Sequence, residues 1–281
     1  MPLTTLADVL AAANQGGYAV GGLVVLGWED ARAYVAAAEE LGAPVILQAG
    51  PSCRKHTPLP VLGAMFRHLA ESASVPVVAH LDHGYEADEC RAAIDAGFTS
   101  VMFDGSKLPF DENVARTRAI AETAHAAGVS CEGEIGFVGY SEGAASEGTD
   151  RQEAARFAQA TGIDAMAISV GNLHLQQDRQ GGLDEDRIAA IQGLTDVPLV
   201  IHGGSGVPLA QRTRLARTTN VAKFNVGTEL RMAFGAALRE AVEADPGRFD
   251  RVQILSETHG PVMRAAREAI GAMAPQGGFT R

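Results

Sequence analysis

Short apolar runs alternate along this chain with segments in which hydrophobic residues recur at helical spacing. A Gly-rich or polar break separates each run from the helical segment that follows it. Parallel strands need a crossover connection that covers the sheet, so the alternation predicts βαβ units and a parallel sheet. The eight predicted strands are 18–26, 44–48, 75–80, 100–103, 129–132, 165–170, 197–202 and 221–225. The predicted helices are 29–41, 59–73, 88–96, 113–127, 152–161, 184–193, 209–219 and 229–242.

Eight βα units and a length of 281 residues match one (β/α)8 TIM barrel. No Pro/Ser-rich linker divides the chain, so we predict a single α/β domain over residues 1–281. Residues 274–281 carry Gly and Pro without periodicity and are expected to form a loose tail. The longest stretch without a pattern, 137–150, is expected to be either a lid over a functional site or a solvated surface loop.

Composition and charge exclude several classes of protein. The chain has 23 Lys and Arg against 34 Asp and Glu, a net charge of −11, which argues against nucleic-acid binding. No apolar run reaches about 18 residues, so a membrane span is excluded. The first residues lack the pattern of a secretory signal, so we expect a cytoplasmic protein. The three cysteines are widely spaced, which predicts reduced thiols without a thiolate metal site.

Histidines stand where several of the predicted strands end. His83, His174 and His202 follow strands three, six and seven, and Asp82 precedes the first of them. The carboxyl ends of the strands form the active-site face of such a barrel. Three imidazoles with an open fourth position are typical of a catalytic divalent-metal site, although a single histidine at a strand end more often has a structural role. By alternation His80 points away from His83, and we interpret it as a structural or supporting residue.

Two glycine-rich segments follow the last two strands. Residues 202–206 read His-Gly-Gly-Ser-Gly, and Gly227-Thr228 precedes the next predicted helix. Either segment alone is consistent with a tight turn. Backbone amides and helix N-termini after strands seven and eight are where these barrels hold phosphate. Together, the two segments predict a phosphate site beside the histidines.

In order along the chain, these segments resemble the class II, metal-dependent ketose-bisphosphate aldolases, the family of fructose- and tagatose-1,6-bisphosphate aldolases. The resemblance covers most of the chain. It implies reversible cleavage of a ketose-1,6-bisphosphate to dihydroxyacetone phosphate and glyceraldehyde 3-phosphate. The segments that carry it are VPVVAHLDHG at 75–84, SVMFDGS at 100–106, EGEIG at 132–136, VPLVIHGGSGVP at 197–208 and VAKFNVGTELR at 221–231.

The resemblance also implies roles for individual residues. Asp82 would exchange the proton of the C4 hydroxyl, and Asn225 would help to hold the enediolate. An acid in the loop after strand five would move a proton at C3, with Glu142 as the first candidate and Glu147 as the second. The implied Zn²⁺ ligands are His83, His174 and His202, the residues implied for a second divalent or monovalent cation or for an alternate position of the metal are Asp104 and Glu134, and the implied phosphate-binding residues are Gly171, Gly203, Ser205, Gly227 and Thr228.

Departures from the family pattern leave the substrate open. Residues 21–28 contain no Asn where the family commonly has an Asn-rich segment, and Leu175 replaces the Gly that usually follows the histidine. Gly227 stands where many fructose-bisphosphate members have Asp, and the Val-x-Thr-Glu pattern at 226–229 favours the tagatose-type branch. The alternative is the same mechanism on a different ketose phosphate or sugar derivative. The resemblance further implies a sugar-phosphate ligand and a homodimer or homotetramer.

Mechanisms and functions of other kinds fit the sequence less well. Lys107 and Lys223 lie near strand ends, but a Schiff-base mechanism on either would leave the three histidines idle. A zinc hydrolase of the amidohydrolase kind would need His-x-His after strand one, and residues 20–30 contain no histidine. A catalytically silent metal- or sugar-binding barrel is the remaining alternative.

Overall fold

A computed structural model describes residues 3–275 and residue 279. Eight parallel strands close into a barrel in which each strand pairs with its neighbours in sequence and β1 pairs with β8. This architecture confirms the predicted single-domain (β/α)8 barrel. The strands are β1 Val20–Val24, β2 Val45–Ala49, β3 Val77–Gly84, β4 Ser100–Phe103, β5 Ser130–Ile135, β6 Ala165–Ile168, β7 Leu199–Ile201 and β8 Val221–Val226.

Helices surround the barrel, and each of the eight predicted helices is found within three residues of its predicted bounds. Four helices outside the predicted set are α1, α3, α11 and α12. The helices are α1 Leu6–Gly16, α2 Trp28–Leu41, α3 Pro51–His56, α4 Leu59–Ser72, α5 Ala87–Asp95, α6 Phe110–Ala126, α7 Arg151–Thr161, α8 Glu185–Gln192, α9 Leu209–Thr218, α10 Thr228–Ala244, α11 Arg251–Ser256 and α12 His259–Met273.

The core has an outer and an inner part. The outer part lies between the strands and the surrounding helices. In the inner part, Leu6 and Leu10 of α1 pack against strand residues such as Ile46 and Val78, so α1 closes the amino-terminal end of the barrel. The interior residues nearer the carboxyl end include Gln48, His80, Glu132, His202 and Lys223, all fully buried. Polar groups are therefore concentrated at the end where the functional site is expected.

Strand β3 is longer than its apolar pattern predicts. The run ends at His80, yet the strand continues to Gly84 through two further buried polar residues, Asp82 and His83. The β3–β4 register shifts between Leu81 and Gly84, and His83 has a φ of 51°, a left-handed conformation that is uncommon outside glycine. This irregularity breaks the alternation, so both His80 and His83 contact other polar groups at the barrel centre.

The loop over residues 137–150 has more order than its sequence suggests. Phe137 and Glu147 form an isolated antiparallel bridge, and Tyr140 bridges to His174 in the loop after β6. Most of the tail expected at 274–281 lies outside the described residues. Among the helices that are described, none is long and apolar enough to cross a membrane.

Candidate active site

The three predicted metal-ligating histidines lie together at the carboxyl end of the barrel. Nδ1 of His202 is 3.1 Å from Nε2 of His83. The His174 ring lies 5.3 Å from the His83 ring and 5.8 Å from the His202 ring, measured between centroids. One nitrogen from each ring lies within 4.8 Å of the others. Strands β3, β6 and β7 thus bring their following histidines to one point, as predicted.

This donor set fits a divalent metal. Tetrahedral zinc with Zn–N distances of 2.0–2.1 Å requires nitrogens about 3.3 Å apart, close to the separation of the His83 and His202 nitrogens. The other nitrogen of each ring is held by a carboxylate: His83 Nδ1 donates to Asp104 Oδ2 over 2.7 Å, and His202 Nε2 to Glu132 Oε1 over 3.0 Å. Carboxylates that orient imidazoles in this way are typical of metal sites.

A second group of potential ligands shares His83 with the first. It comprises His83, Asp104 and Glu134. Burial and the nearby charge of Asp104 raise the pKa of Glu134 well above its usual value. Within the described structure Glu134 Oε2 is buried without a hydrogen-bond partner, lying 3.6 Å from Nδ1 of His202. A cation at this point would compensate the buried carboxylate, which fits the predicted second or alternate position.

The surrounding charges set the protonation of two of the histidines. Burial lowers the pKa of His174 to about 3, with further lowering by His83 and His202, so its imidazole is neutral and able to ligate. For His83, burial lowers the pKa, but the carboxylates of Asp82 and Asp104 outweigh it and raise the pKa to about 10. Carboxylates that attract a proton to this ring also attract a metal cation in its place.

Asp82 and Asn225 adjoin the histidines. Asn225 Nδ2 donates to Asp82 Oδ1 over 3.3 Å, and the same Asp82 oxygen is 3.9 Å from His83 Nε2. Burial alone would raise the pKa of Asp82, but His83, followed by His202 and Lys223, lowers it, so the carboxylate is ionised. Both side chains line a cavity of about 360 Å³ that also contacts His83 and His174. An ionised base therefore faces the space beside the metal ligands.

The predicted phosphate-binding residues lie on the same cavity. Gly203, Ser205, Gly227 and Thr228 line it, whereas Gly171 lies outside the lining. Gly203 has a φ of 64°, and a Cβ there would lie 2.1 Å from the Leu173 carbonyl oxygen, so only glycine fits. The Ser205 hydroxyl accepts from the Gly227 amide over 3.2 Å. The Glu229 amide also donates to Ser205, and the N-terminus of the 17-residue helix that begins at Thr228 favours an anion beside this hydroxyl.

A buried arginine fixes this phosphate loop. The Arg212 side chain is fully buried and pairs with Glu229 in the first turn of α10 over 2.8 Å. It also donates to the carbonyl oxygens of Val207 over 2.9 Å and Ser205 over 3.2 Å. Arg212 thereby connects the segment after β7 to the helix that follows β8, which fixes the positions of the two glycine-rich segments relative to each other.

The two candidate acids of loop 137–150 lie away from the histidine cluster. Glu142 is exposed at the tip of the loop, and Glu147 is exposed at its base. Neither lines the cavity, whereas Tyr140 of the same loop does. The Tyr140 ring packs against His174 with 5.0 Å between centroids. The loop therefore lies against the site through Tyr140, but the structure does not bring either acid into the cavity beside the histidines.

Sequence reasoning missed a buried polar network beneath the site. Glu132 pairs through Oε2 with Lys223 Nζ over 2.6 Å. Lys223 also donates to Nε2 of His80 over 3.2 Å, and His80 Nδ1 contacts the Ser100 hydroxyl over 2.8 Å. Burial, followed by the charge of Lys223, lowers the pKa of His80 to about 3, so its imidazole is neutral and can accept from Lys223. Lys223 is fully buried and paired with Glu132, which makes it unsuitable as a Schiff-base nucleophile.

Arg54 of α3 was also missed. Its Nη1 donates to the carbonyl oxygens of Ala49 and Asp82, each over 2.7 Å, and its Nη2 to that of His83 over 3.1 Å. A salt bridge of 2.7 Å to Glu89 completes its pairing. The guanidinium thus holds the irregular end of β3 from outside. No local sequence pattern marks this contact, because it joins residues about 30 positions apart.

Comparison with known proteins agrees with the fold and shows the family. The family model described as fructose-bisphosphate aldolase class-II matches residues 4–277. The fructose-bisphosphate aldolase of Geobacillus stearothermophilus is 40% identical over 279 residues, covering 97% of this chain and 94% of that protein. The 6-phospho-5-dehydro-2-deoxy-D-gluconate aldolase of Shouchella clausii is 37% identical, covering 96% and 94%.

A solved structure gives the same result. The crystal structure of the YdjI aldolase from Escherichia coli superposes with a TM-score of 0.85 at 28% sequence identity, covering 98% of each chain. The family model spans nearly the whole chain, and the curated relatives match over nearly their full length. The chain therefore belongs to the class II fructose-bisphosphate aldolase family of carbon–carbon lyases.

Proposed function

We propose that this protein is a zinc-dependent aldolase that reversibly cleaves a ketose-1,6-bisphosphate of fructose or tagatose configuration. The products would be dihydroxyacetone phosphate and glyceraldehyde 3-phosphate. One observation carries the proposal: His83 and His174 of the histidine cluster, the Asp82–Asn225 pair and the glycine-rich phosphate loops all line a single cavity, and His202 lies directly behind His83. Family membership supports the reaction class.

The chain's own residues supply binding and proton transfer. His83, His174 and His202 would hold the metal, which when bound supplies a Lewis acid for the negative charge that develops on the three-carbon fragment. In cleavage Asp82 takes the proton of the C4 hydroxyl, the C4–O bond becomes a carbonyl, and the C3–C4 electron pair stays on the C3 carbon. The amide of Asn225 donates to that fragment, and the phosphate loops hold its C1 phosphate.

The direct test is metal removal with two readouts. Protein stripped with a chelator is expected to lose both cleavage of fructose 1,6-bisphosphate and exchange of the C3 proton of dihydroxyacetone phosphate, and to regain both with Zn²⁺. His83→Ala should lose them irreversibly, whereas His56→Ala, an exposed histidine on α3, serves as the matched control. Full activity of the stripped protein would refute the proposal.

A second candidate keeps the mechanism but changes the sugar. Val24 lines the cavity in the β1 segment where the family commonly has Asn, so the polar contacts at one end of the substrate differ. The Shouchella clausii relative is named for a different ketose phosphate, 6-phospho-5-dehydro-2-deoxy-D-gluconate. Relative kcat/KM values for a panel of ketose phosphates decide between the candidates, and a clear preference for fructose 1,6-bisphosphate would remove the second one.

A further inference from the structure

The cavity has little positive charge for a site that is to bind a doubly phosphorylated sugar. Of the described residues that line it, Arg231 is the one with a permanent positive charge. The other ionisable lining residues are Asp82, Tyr85, Tyr140, His83 and His174. In a chain with a net charge of −11, a cation on the cavity wall is a notable concentration of positive potential.

Arg231 differs from the buried arginines that hold the fold. Arg54 and Arg212 donate hydrogen bonds to carboxylates and backbone carbonyl oxygens. By contrast, Nε of Arg231 is buried, and within the described structure it has no hydrogen-bond partner. Buried donors without partners are rare and unfavourable, so the position favours a ligand that supplies an acceptor.

The guanidinium lies on the side of the cavity formed by the β1 and β2 loops. Arg231 follows Thr228 by three positions in the first turns of α10, on the same helix face. Burial raises the pKa of Asp30 in α2 and of Cys53 in α3, and in both cases the charge of Arg231 opposes the rise. The charge of Arg231 therefore acts on residues of α2 and α3, the helices that follow β1 and β2, and its side chain lines the cavity together with Val24 and Gly50.

The direction of Asp82 places the far end of the substrate on this same side. Oδ2 of Asp82 would lie 3.4 Å from a Cβ at Gly50, so the carboxylate faces the β2 loop. If Asp82 takes the C4 proton while the phosphate loops hold C1, the atoms beyond C4 run over Gly50 and Ser52. Arg231 lines the same cavity as Gly50 and Ser52.

We propose that Arg231 is a specificity-determining residue that binds an oxyanion, a phosphate or a carboxylate, at the end of the ketose opposite the C1 phosphate. This inference rests on the proposed function, because it uses the direction of the substrate that the reaction requires. A guanidinium binds either oxyanion through two parallel hydrogen bonds, so it selects for the charge and geometry of the terminal group.

The test compares Arg231→Met, Arg231→Lys and Arg231→Gln with Arg239→Met, an exposed arginine on the same helix. Three reactions are measured: cleavage of fructose 1,6-bisphosphate, cleavage of fructose 1-phosphate, and C3 proton exchange of dihydroxyacetone phosphate. Arg231→Met is expected to lower kcat/KM for the bisphosphate by about 10- to 100-fold, mainly through KM, relative to the other two reactions. Arg239→Met should keep the wild-type ratios.

The outcomes separate this inference from the proposed function. Absence of exchange in the wild-type holoenzyme would mean that the proposed function itself fails. Normal exchange by the wild-type enzyme, together with equal losses in all three reactions of Arg231→Met, would place Arg231 at the C1 phosphate and overturn the inference. Unchanged ratios between the three reactions in every variant would also overturn it. Cleavage of 6-phospho-5-dehydro-2-deoxy-D-gluconate in place of the bisphosphate, with the same dependence on Arg231, would identify the terminal oxyanion as a carboxylate. Thermal unfolding of each variant checks folding, and Arg231→Lys, which keeps the charge, should retain part of the preference.

Discussion

Glu132 Oε1 accepts the hydrogen bond of His202 Nε2 over 3.0 Å, which leaves Nδ1 of the same ring facing His83. Burial alone would raise the pKa of Glu132, but Lys223 and His202 outweigh it and hold the pKa well below its usual range. The carboxylate is therefore charged and fixes one tautomer of the imidazole. Glu132 lies on β5, two positions before the predicted cation ligand Glu134. It thus determines which nitrogen of His202, the residue after β7, is free to bind a metal.

We predict that Glu132→Gln lowers Zn²⁺ affinity by about 10- to 100-fold, because the amide can no longer accept from His202 and balance Lys223 at the same time. Competition with a chromophoric chelator measures the Kd directly, without reference to activity. Glu71→Gln, an exposed carboxylate on α4, is the control and should leave the Kd unchanged. An unaltered Kd in Glu132→Gln would show that the contact does not orient the ligand.

Lys223 should contribute to stability rather than to a covalent step. Lys223→Met leaves the fully buried Glu132 without its cation, and loss of one partner from a buried pair costs about 3–5 kcal/mol. Urea unfolding of the metal-free protein measures this change. In the double variant with Glu132→Gln the loss should be smaller than the sum of the single losses, since no lone charge remains. Additive losses would contradict the coupling.

Arg54 should stabilise the irregular end of β3. Arg54→Met removes the donors to the Asp82 and His83 carbonyl oxygens and leaves these acceptors unpaired beside a backbone with positive φ. The expected loss is about 3 kcal/mol in the free energy of unfolding, together with weaker Zn²⁺ binding. Arg91→Met, an exposed arginine on α5, is the matched control. Equal stabilities of the two variants would remove Arg54 from this role.

The predictable parts of the site are those that follow directly from strand ends. His83 lies at the carboxyl end of β3, His202 directly follows β7 and His174 lies in the loop after β6, so the topology of the barrel alone brings them together. The end of β3 was harder to predict, because buried polar residues from His80 to His83 interrupt the apolar pattern that indicates a strand.

Residues that reach the site from helices could not be found in this way. Arg54 acts from α3, a helix of only six residues outside the predicted set, and its partners are backbone carbonyls that carry no sequence signal. Arg231 is different, because a helix starting near Thr228 puts a residue three positions later on the same face. That spacing could have indicated Arg231 beforehand.

The pairing of Glu132 with Lys223 joins β5 to β8 across the barrel, so it follows only from closure of the barrel.

The two loop acids are predicted to differ in proton exchange at C3. The backbone of Glu147 is fixed by two hydrogen bonds with Phe137, each of 2.8 Å, whereas Glu142 lies at the exposed tip between Tyr140 and Ala144. A movement of the tip toward the cavity would leave the base intact, so we predict that Glu142 is the acid that reaches the reacting carbon. Glu142→Gln should slow exchange of the dihydroxyacetone phosphate proton by about 100-fold or more while leaving its Kd nearly unchanged. Glu147→Gln should have a much smaller effect, and Glu122→Gln, exposed on α6, is the control for charge. The opposite order of the two loop variants would assign the proton transfer to Glu147.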